Sequence, residues 1–127
     1  MSKKIIIIDD ESHIRMLLEQ SLEDLEDEGV AISTASNGKD GLELILKEKP
    51  DLVFCDVMMP HLNGYEVCTA VKQEHKLSAV YFILLTARGQ EADREKGLAA
   101  GADMYMTKPF DPEEVVTRAS EILGIEV

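Results

Sequence analysis

Apolar residues fall in short blocks along the chain, each cut off by acid, hydroxyl or turn residues. The first block, Lys4 to Ile8, holds four isoleucines and stops at Asp9-Asp10-Glu11. Val30 to Ala35, Leu52 to Cys55, Ser78 to Leu85 and Met104 to Met106 are the others. Unbroken apolar runs of this length predict strands buried on both faces. Between the blocks the period changes. Ile14, Leu17, Leu18, Leu22 and Leu25 recur at helical spacing, from an N-cap at Ser12 to a stop at Gly29. Asn37-Gly38 turns the chain into a second helix with Leu42, Ile45 and Leu46 on one face, and Pro50 closes that segment. A third helix starts near Gly64, with Val67, Cys68 and Val71 inward. The fourth, roughly Gln90 to Ala100, has a thin apolar anchor. Asp93-Arg94-Glu95-Lys96 is all charge and Gly97 follows, so it is expected to be the most mobile helix. Asp111 caps a fifth helix with Pro112 at its first position and Val115, Val116, Ala119, Ile122 and Leu123 as its stripe.

Five strands alternating with five helices predict an α/β fold, a parallel sheet with helices on both faces. The 127 residues suit one domain, 1–127, and 45% hydrophobic residues are enough for a real core. No repeat, linker or low-complexity tail divides them, which fits a stand-alone protein; a domain cut from a larger chain would look the same. The net charge of −12 argues against nucleic acid and against an anionic membrane surface. It suits a protein partner with a basic or mixed surface. Cys55 and Cys68 have no metal or redox spacing, and Cys55 reads as a core filler. A reducing cytoplasm is the simplest compartment. The apolar start is too short for a signal or a membrane span.

The polar residues that end the strands are the candidate chemistry. The first strand ends in Asp9 and Asp10, the third in Asp56, the fourth in Thr86 and the fifth in Lys108. Asp56 is followed by Pro60 and by an Asn63-Gly64 turn signal. C-terminal strand ends are where open α/β sheets bind ligands, at the point where strand order reverses. Each residue has a plainer role on its own. Asp9 and Asp10 could favour a helix N-terminus, Thr86 could be a β-former, and Lys108 a solvated lysine. Their shared placement at the ends of different strands is the signal.

Brought together, Asp9, Asp10 and Asp56 would carry a charge of about −3 against about +1 from Lys108, a mutual repulsion of several kcal/mol at intermediate dielectric. Either they raise each other's pKa or a cation sits among them. All-oxygen ligands suit Mg²⁺, which keeps several waters and binds through one or two carboxylates plus phosphate. With it, Asp56 could act as a nucleophile forming an aspartyl-phosphate. Lys108 would offset charge on the transferring oxygens, and Thr86 could donate its hydroxyl to one of them.

Over essentially its whole length the sequence resembles the receiver domain of bacterial two-component response regulators, a family that includes single-domain chemotaxis regulators. The resemblance rests on Asp56 followed by Met59-Pro60 and Gly64-Tyr65-Glu66, on Thr86-Ala87, and on Gly97-Leu98 to Gly101-Ala102-Asp103 with Lys108-Pro109-Phe110. It implies a flavodoxin-like (βα)5 fold with strand order 2-1-3-4-5. It implies a phosphoprotein switch, not an enzyme acting on outside substrates, that accepts a phosphoryl group on Asp56 from a histidine kinase or a histidine phosphotransfer protein. Asp10, Asp56 and the backbone carbonyl of Met58 would ligate Mg²⁺, with Asp9 acting mainly through water. Lys108 would bind the phosphoryl group, and Lys108–Pro109 would be cis, a geometry essentially confined to X-Pro bonds. Thr86 and Tyr105 would be the switch pair, reshaping the face made by the fourth helix, fifth strand and fifth helix for an output partner, an output domain or a second copy. Met58 and Arg88 occupy the two positions that tune phosphate lifetime in the family; Met58 could shield the acyl phosphate from water, and Arg88 could reach its oxygens.

Three competitors fit less well. An aspartyl-phosphate phosphohydrolase needs Asp-x-Asp after the first strand, and here the acids are adjacent. A flavin module needs a hydroxyl- and glycine-rich phosphate loop there, and Asp9-Asp10-Glu11 would repel a bare phosphate. A receiver that is never phosphorylated would not need the full acceptor set.

Overall fold

The computed structural model describes residues 3–87 and 94–126. Five strands, β1 (Lys4–Ile8), β2 (Ala31–Ala35), β3 (Leu52–Asp56), β4 (Tyr81–Ala87) and β5 (Met104–Lys108), form one parallel sheet in the order β2-β1-β3-β4-β5. Between them run α1 (Ser12–Ser21), carried on past Leu22 by a helical segment at Glu23–Asp27, then α2 (Gly38–Glu48), α3 (Gly64–Thr69), α4 (Arg94–Ala100) and α5 (Pro112–Leu123). This is the flavodoxin-like order. No helix among the described residues is long and apolar enough to cross a membrane.

Strand alternation divides the core into two layers. Ile5, Ile7, Leu52, Phe54, Ile83, Leu85 and Met106 pack against Leu18 and Leu22 on the α1 side and Val115 and Ala119 of α5. Ile6, Ile8, Val53, Cys55, Phe82 and Leu84 face the other way, against Ile45 of α2, Val67, Cys68 and Val71 of α3 with its continuation, and Ala100 of α4. The central strands are therefore apolar at every position because both faces are covered. Each fully buried Ile, Leu or Phe contributes about 1.5–3 kcal/mol.

The register is locked at the N-terminal edge of the sheet. Lys4 donates its N–H to Asp51 Oδ2 at 2.8 Å, and Asp51 donates its own to the Lys4 carbonyl at 2.9 Å. A second tie joins α3 to α4. Past Thr69 the helix widens into a π-helical turn (Ala70–Glu74), with His75 N–H bonding back to the Ala70 carbonyl. From this segment Gln73 Nε2 donates to the Ala99 carbonyl at 2.6 Å. Lys72 Nζ pairs with Asp103 at 2.8 Å and bonds the Val80 carbonyl.

Several boundaries differ from the sequence reading. Ser12 is the first helical residue of α1 rather than its cap; Glu11 holds the cap position without a side-chain capping bond, and its N–H goes to Asp9 Oδ1. Leu17, expected in the buried stripe, is 38% exposed at the margin of the α1 contact. β4 begins at Tyr81, not Ser78, since Val80 N–H turns back to Leu77 and Tyr81 N–H is the one that engages Asp51. β4 and β5 run on through Thr86-Ala87 and Thr107-Lys108, which pair with each other; a polar side chain ends the apolar run without ending the backbone ladder. The helix expected to start near Gly64 does start there, with Asn63 and Glu66 forming a reciprocal capping box. The expected Asp111 cap and Pro112 start of α5 are present. The predicted beginning of the fourth helix at Gln90, and Arg88, lie outside the described residues.

Candidate functional site

The site lies at the C-terminal edge of the sheet, and the period of two places its residues. Asp9 continues the face of Ile5 and Ile7, Asp56 that of Leu52 and Phe54, and Lys108 that of Met104 and Met106. β1 and β3 are neighbours, so all three side chains emerge on the α1–α5 side. Lys108 reaches across β4 to join them, its Nζ lying 3.0 Å from Asp9 Oδ2 and 3.1 Å from Asp56 Oδ1. Lys108–Pro109 is cis. Asp9 is fully buried and Asp56 4% exposed.

Asp10 and Glu11 stand at the rim, exposed. One carboxylate oxygen from each of Asp9, Asp10, Glu11 and Asp56 lies within 4.8 Å of the others. Four hard oxygen donors so placed fit a hard divalent cation such as Mg²⁺. Asp9 is the least available of them, because Oδ1 already accepts the Glu11 N–H at 2.9 Å and Oδ2 faces Lys108.

Charge at the site is unbalanced. Burial raises the pKa of Asp56, the neighbouring Asp9 charge adds to it, and Lys108 pulls it back only in part, leaving it at about 6. Asp9 is raised too, chiefly by burial, against the Glu11 N–H and Lys108, which lower it. Burial alone would lower Lys108, but the bond to Asp9 and the charges of Asp56 and Asp9 outweigh it and hold Lys108 above its usual range. One ammonium serves two buried carboxylates, so it gains from both while each carboxylate has only a share of it.

The loop after Asp56 closes tightly. Val57 N–H bonds the Leu85 carbonyl and Gly64 N–H bonds the Val57 carbonyl, each at 3.0 Å. A Cβ on Gly64 would overlap the Asp56 carbonyl oxygen, so only glycine fits where α3 starts. Within the loop Leu62 N–H bonds the Pro60 carbonyl at 2.8 Å across His61, whose φ is +70°. A γ-turn with positive φ at a non-glycine residue is rare and strained, costing about 1–3 kcal/mol. Met58 stands in solvent, 62% exposed, rather than in the pocket.

Thr86 is buried, but alternation puts it on the side of Phe82 and Leu84, opposite to Asp56. Tyr105 shares that side, half-buried in the second core layer, and pairs with Leu84 in register. Its hydroxyl and ring lie over Gly97 of α4, where a Cβ would overlap them. The proposed switch pair thus occupies one face of the sheet and Asp9, Asp56 and Lys108 the other. The strand-end pattern assigned no role to Glu11, Arg15 or Gly97. Glu11 was visible as a third consecutive acid, and Gly97 as a glycine inside a helix. A lone arginine such as Arg15 carries no periodic signal.

A profile of the response regulator receiver domain matches residues 5–120. The alkaline phosphatase synthesis transcriptional regulatory protein PhoP of Bacillus subtilis (strain 168) is 45% identical over 123 residues, covering 97% of this chain and 49% of that protein. The chain thus spans about half the length of the curated relatives it matches. Among solved structures, the BeF3-activated receiver domain of DrrB, a Thermotoga maritima response regulator, superposes with a TM-score of 0.83 at 34% identity, over 98% of this chain and 99% of that one. The chemotaxis response regulator CheY4 of Vibrio cholerae gives 0.83 at 27% identity, over 96% and 99%.

Proposed function

The chain belongs to the response regulator receiver domain family of two-component systems, and from that premise we propose that Asp56 is its phosphoacceptor. The observation that carries the reading is Lys108 Nζ bridging Asp9 and Asp56 beside two further carboxylates. An Asp56 oxygen attacks the phosphorus of a phosphohistidine on a kinase or phosphotransfer protein. The P–N bond breaks, its electron pair stays with the imidazole, which takes up a proton, and an acyl phosphate remains on Asp56. Attack of water on that phosphorus returns the carboxylate and inorganic phosphate. With a pKa of about 6, Asp56 is ionised and nucleophilic at neutral pH. Lys108 then offsets charge on the transferred oxygens.

Asp10 and Asp56, with the Met58 carbonyl, would hold Mg²⁺, Glu11 offers a further carboxylate, and Asp9 would act through water. The ion supplies a charge of +2 against which phosphoryl oxygens can gather. Receivers are switches, and this one promotes only its own phosphorylation and dephosphorylation. In the phosphorylated state Thr86 turns across the sheet edge toward the phosphoryl group and Tyr105 follows, reshaping the α4-β5-α5 surface. That surface serves an output partner, an appended output domain or a second copy of the chain. Leu98 of α4, 65% exposed, supports its use as a contact face. Residues 1–127 act as one receiver unit with no direct nucleic-acid contact, in keeping with the −12 charge; joined to a second half, as in the regulators it matches, the unit would control transcription.

Intact mass after incubation with a small phosphodonor tests the reading. One added phosphoryl group, requiring Mg²⁺ and absent from Asp56→Asn, is expected. No gain under conditions that label another receiver overturns it.

A further inference from the structure

We propose that Arg15 is a positioning residue for the acids that hold the cation; this rests on the Mg²⁺-dependent reading above. Its Nη1 donates to the backbone carbonyl of Asp9 at 2.6 Å, from the first turn of α1 back to the end of β1. The Asp9 carbonyl belongs to the peptide plane that joins Asp9 to Asp10. That plane is rigid, so its tilt sets the direction in which Asp10 leaves the chain. The cap position does not do this, since the Glu11 side chain makes no capping bond and turns to His13 instead, 3.3 Å away. The turn is closed instead by two links to Asp9: Glu11 N–H to Oδ1, and Arg15 to the carbonyl oxygen. Asp10 sits between them, exposed, with a carboxylate oxygen held in the four-acid cluster. The two links hold in place a rim that would otherwise spread by mutual repulsion among its carboxylates.

Two effects of removing Arg15 have opposite signs. Taking away the cation that sits against the Asp9 carbonyl, next to the acidic rim, should by charge alone tighten Mg²⁺ binding. Releasing the Asp9–Asp10 peptide should weaken it, because an exposed ligand that must be reordered on binding costs affinity. Positioning of a ligand by an outer neighbour typically governs metal affinity by 10-fold or more, so weakening should win.

The test is Mg²⁺ titration by calorimetry of the wild type, Arg15→Met and Arg15→Lys, each also melted in EDTA. Arg15→Met should bind roughly 10-fold more weakly, and Arg15→Lys, which keeps a donor and the charge, should recover part of the loss. Phosphorylation of Arg15→Met at saturating Mg²⁺ should stay near the wild-type rate, confining the defect to the ion. Wild-type Mg²⁺ binding with undiminished or tighter binding by Arg15→Met overturns the inference, and a lowered melting temperature alone would then mark Arg15 as merely structural. Failure of the wild type to bind Mg²⁺ overturns the proposed function and the inference with it.

Discussion

Asp56→Asn should make the metal-free protein more stable at neutral pH. In the folded chain the Asp56 carboxyl titrates at about 6 against an ordinary value of 3.8, raised first by burial and then by Asp9. A carboxylate with a raised folded pKa binds its proton more tightly folded than unfolded. Its contribution to stability is therefore fully present below pH 3.8 and is lost as pH rises from there through 6. At about 1.4 kcal/mol per pH unit, that interval puts the cost of an ionised Asp56 at roughly 3 kcal/mol. Asparagine removes the charge and keeps an oxygen for Lys108, whose weaker bond forfeits about 1 kcal/mol. The net gain is about 2 kcal/mol at pH 8 in EDTA. For 127 residues this corresponds to a rise in Tm of about 7 °C. Thermal melts of both proteins from pH 8 to 4.5 check it. The gap should shrink as acid protonates Asp56, and Mg²⁺ should close it from the wild-type side at pH 8. A variant no more stable than wild type at pH 8, or a gap that widens on acidification, would refute the reasoning, because Asp56 would then be a favourably paired anion.

Three further outcomes follow from the same contacts. Lys108→Met leaves Asp9 and Asp56 buried without their shared ammonium and should cost about 3 kcal/mol at pH 8, less in acid, as read by urea denaturation in EDTA. Gly97→Ala should cost about 1–3 kcal/mol through overlap with the Tyr105 hydroxyl; a double-mutant cycle with Tyr105→Ala should recover most of that, and strict additivity would show that the two residues do not touch. Lys49 caps α2 in the left-handed conformation, φ 48°. Lys49→Gly should raise stability by up to about 1 kcal/mol on chemical denaturation.

The sheet was legible because burial on both faces writes an unbroken apolar run, and the strand-end acids because such a run stops abruptly at them. The alternation also held information that the list of strand ends did not use. Counting by twos from Ile5, Leu52 and Met104 groups Asp9, Asp56 and Lys108, and counting from Phe82 separates Thr86 from them. Strand limits were misplaced where backbone pairing and side-chain polarity part company, as at Ala87 and Lys108. The contacts of Arg15 and Gly97 stayed hidden for a different reason. Each residue acts through one contact with a residue that no periodic pattern links to it, the Asp9 carbonyl in one case and the Tyr105 ring in the other.

The exchange of bonds between Lys4 and Asp51 lies at the opposite edge of the sheet from the acids, about 17 Å away at 3.3 Å per residue. Sliding β1 by one residue against β3 would turn Asp9 to the other face and leave Lys108 with a single carboxylate. The aspartate just before β3 thus governs whether the one at its end can work. A substitution there would read as a loss of function with no part of the pocket altered, and distance from the chemistry is a poor guide to which residues the chemistry depends on.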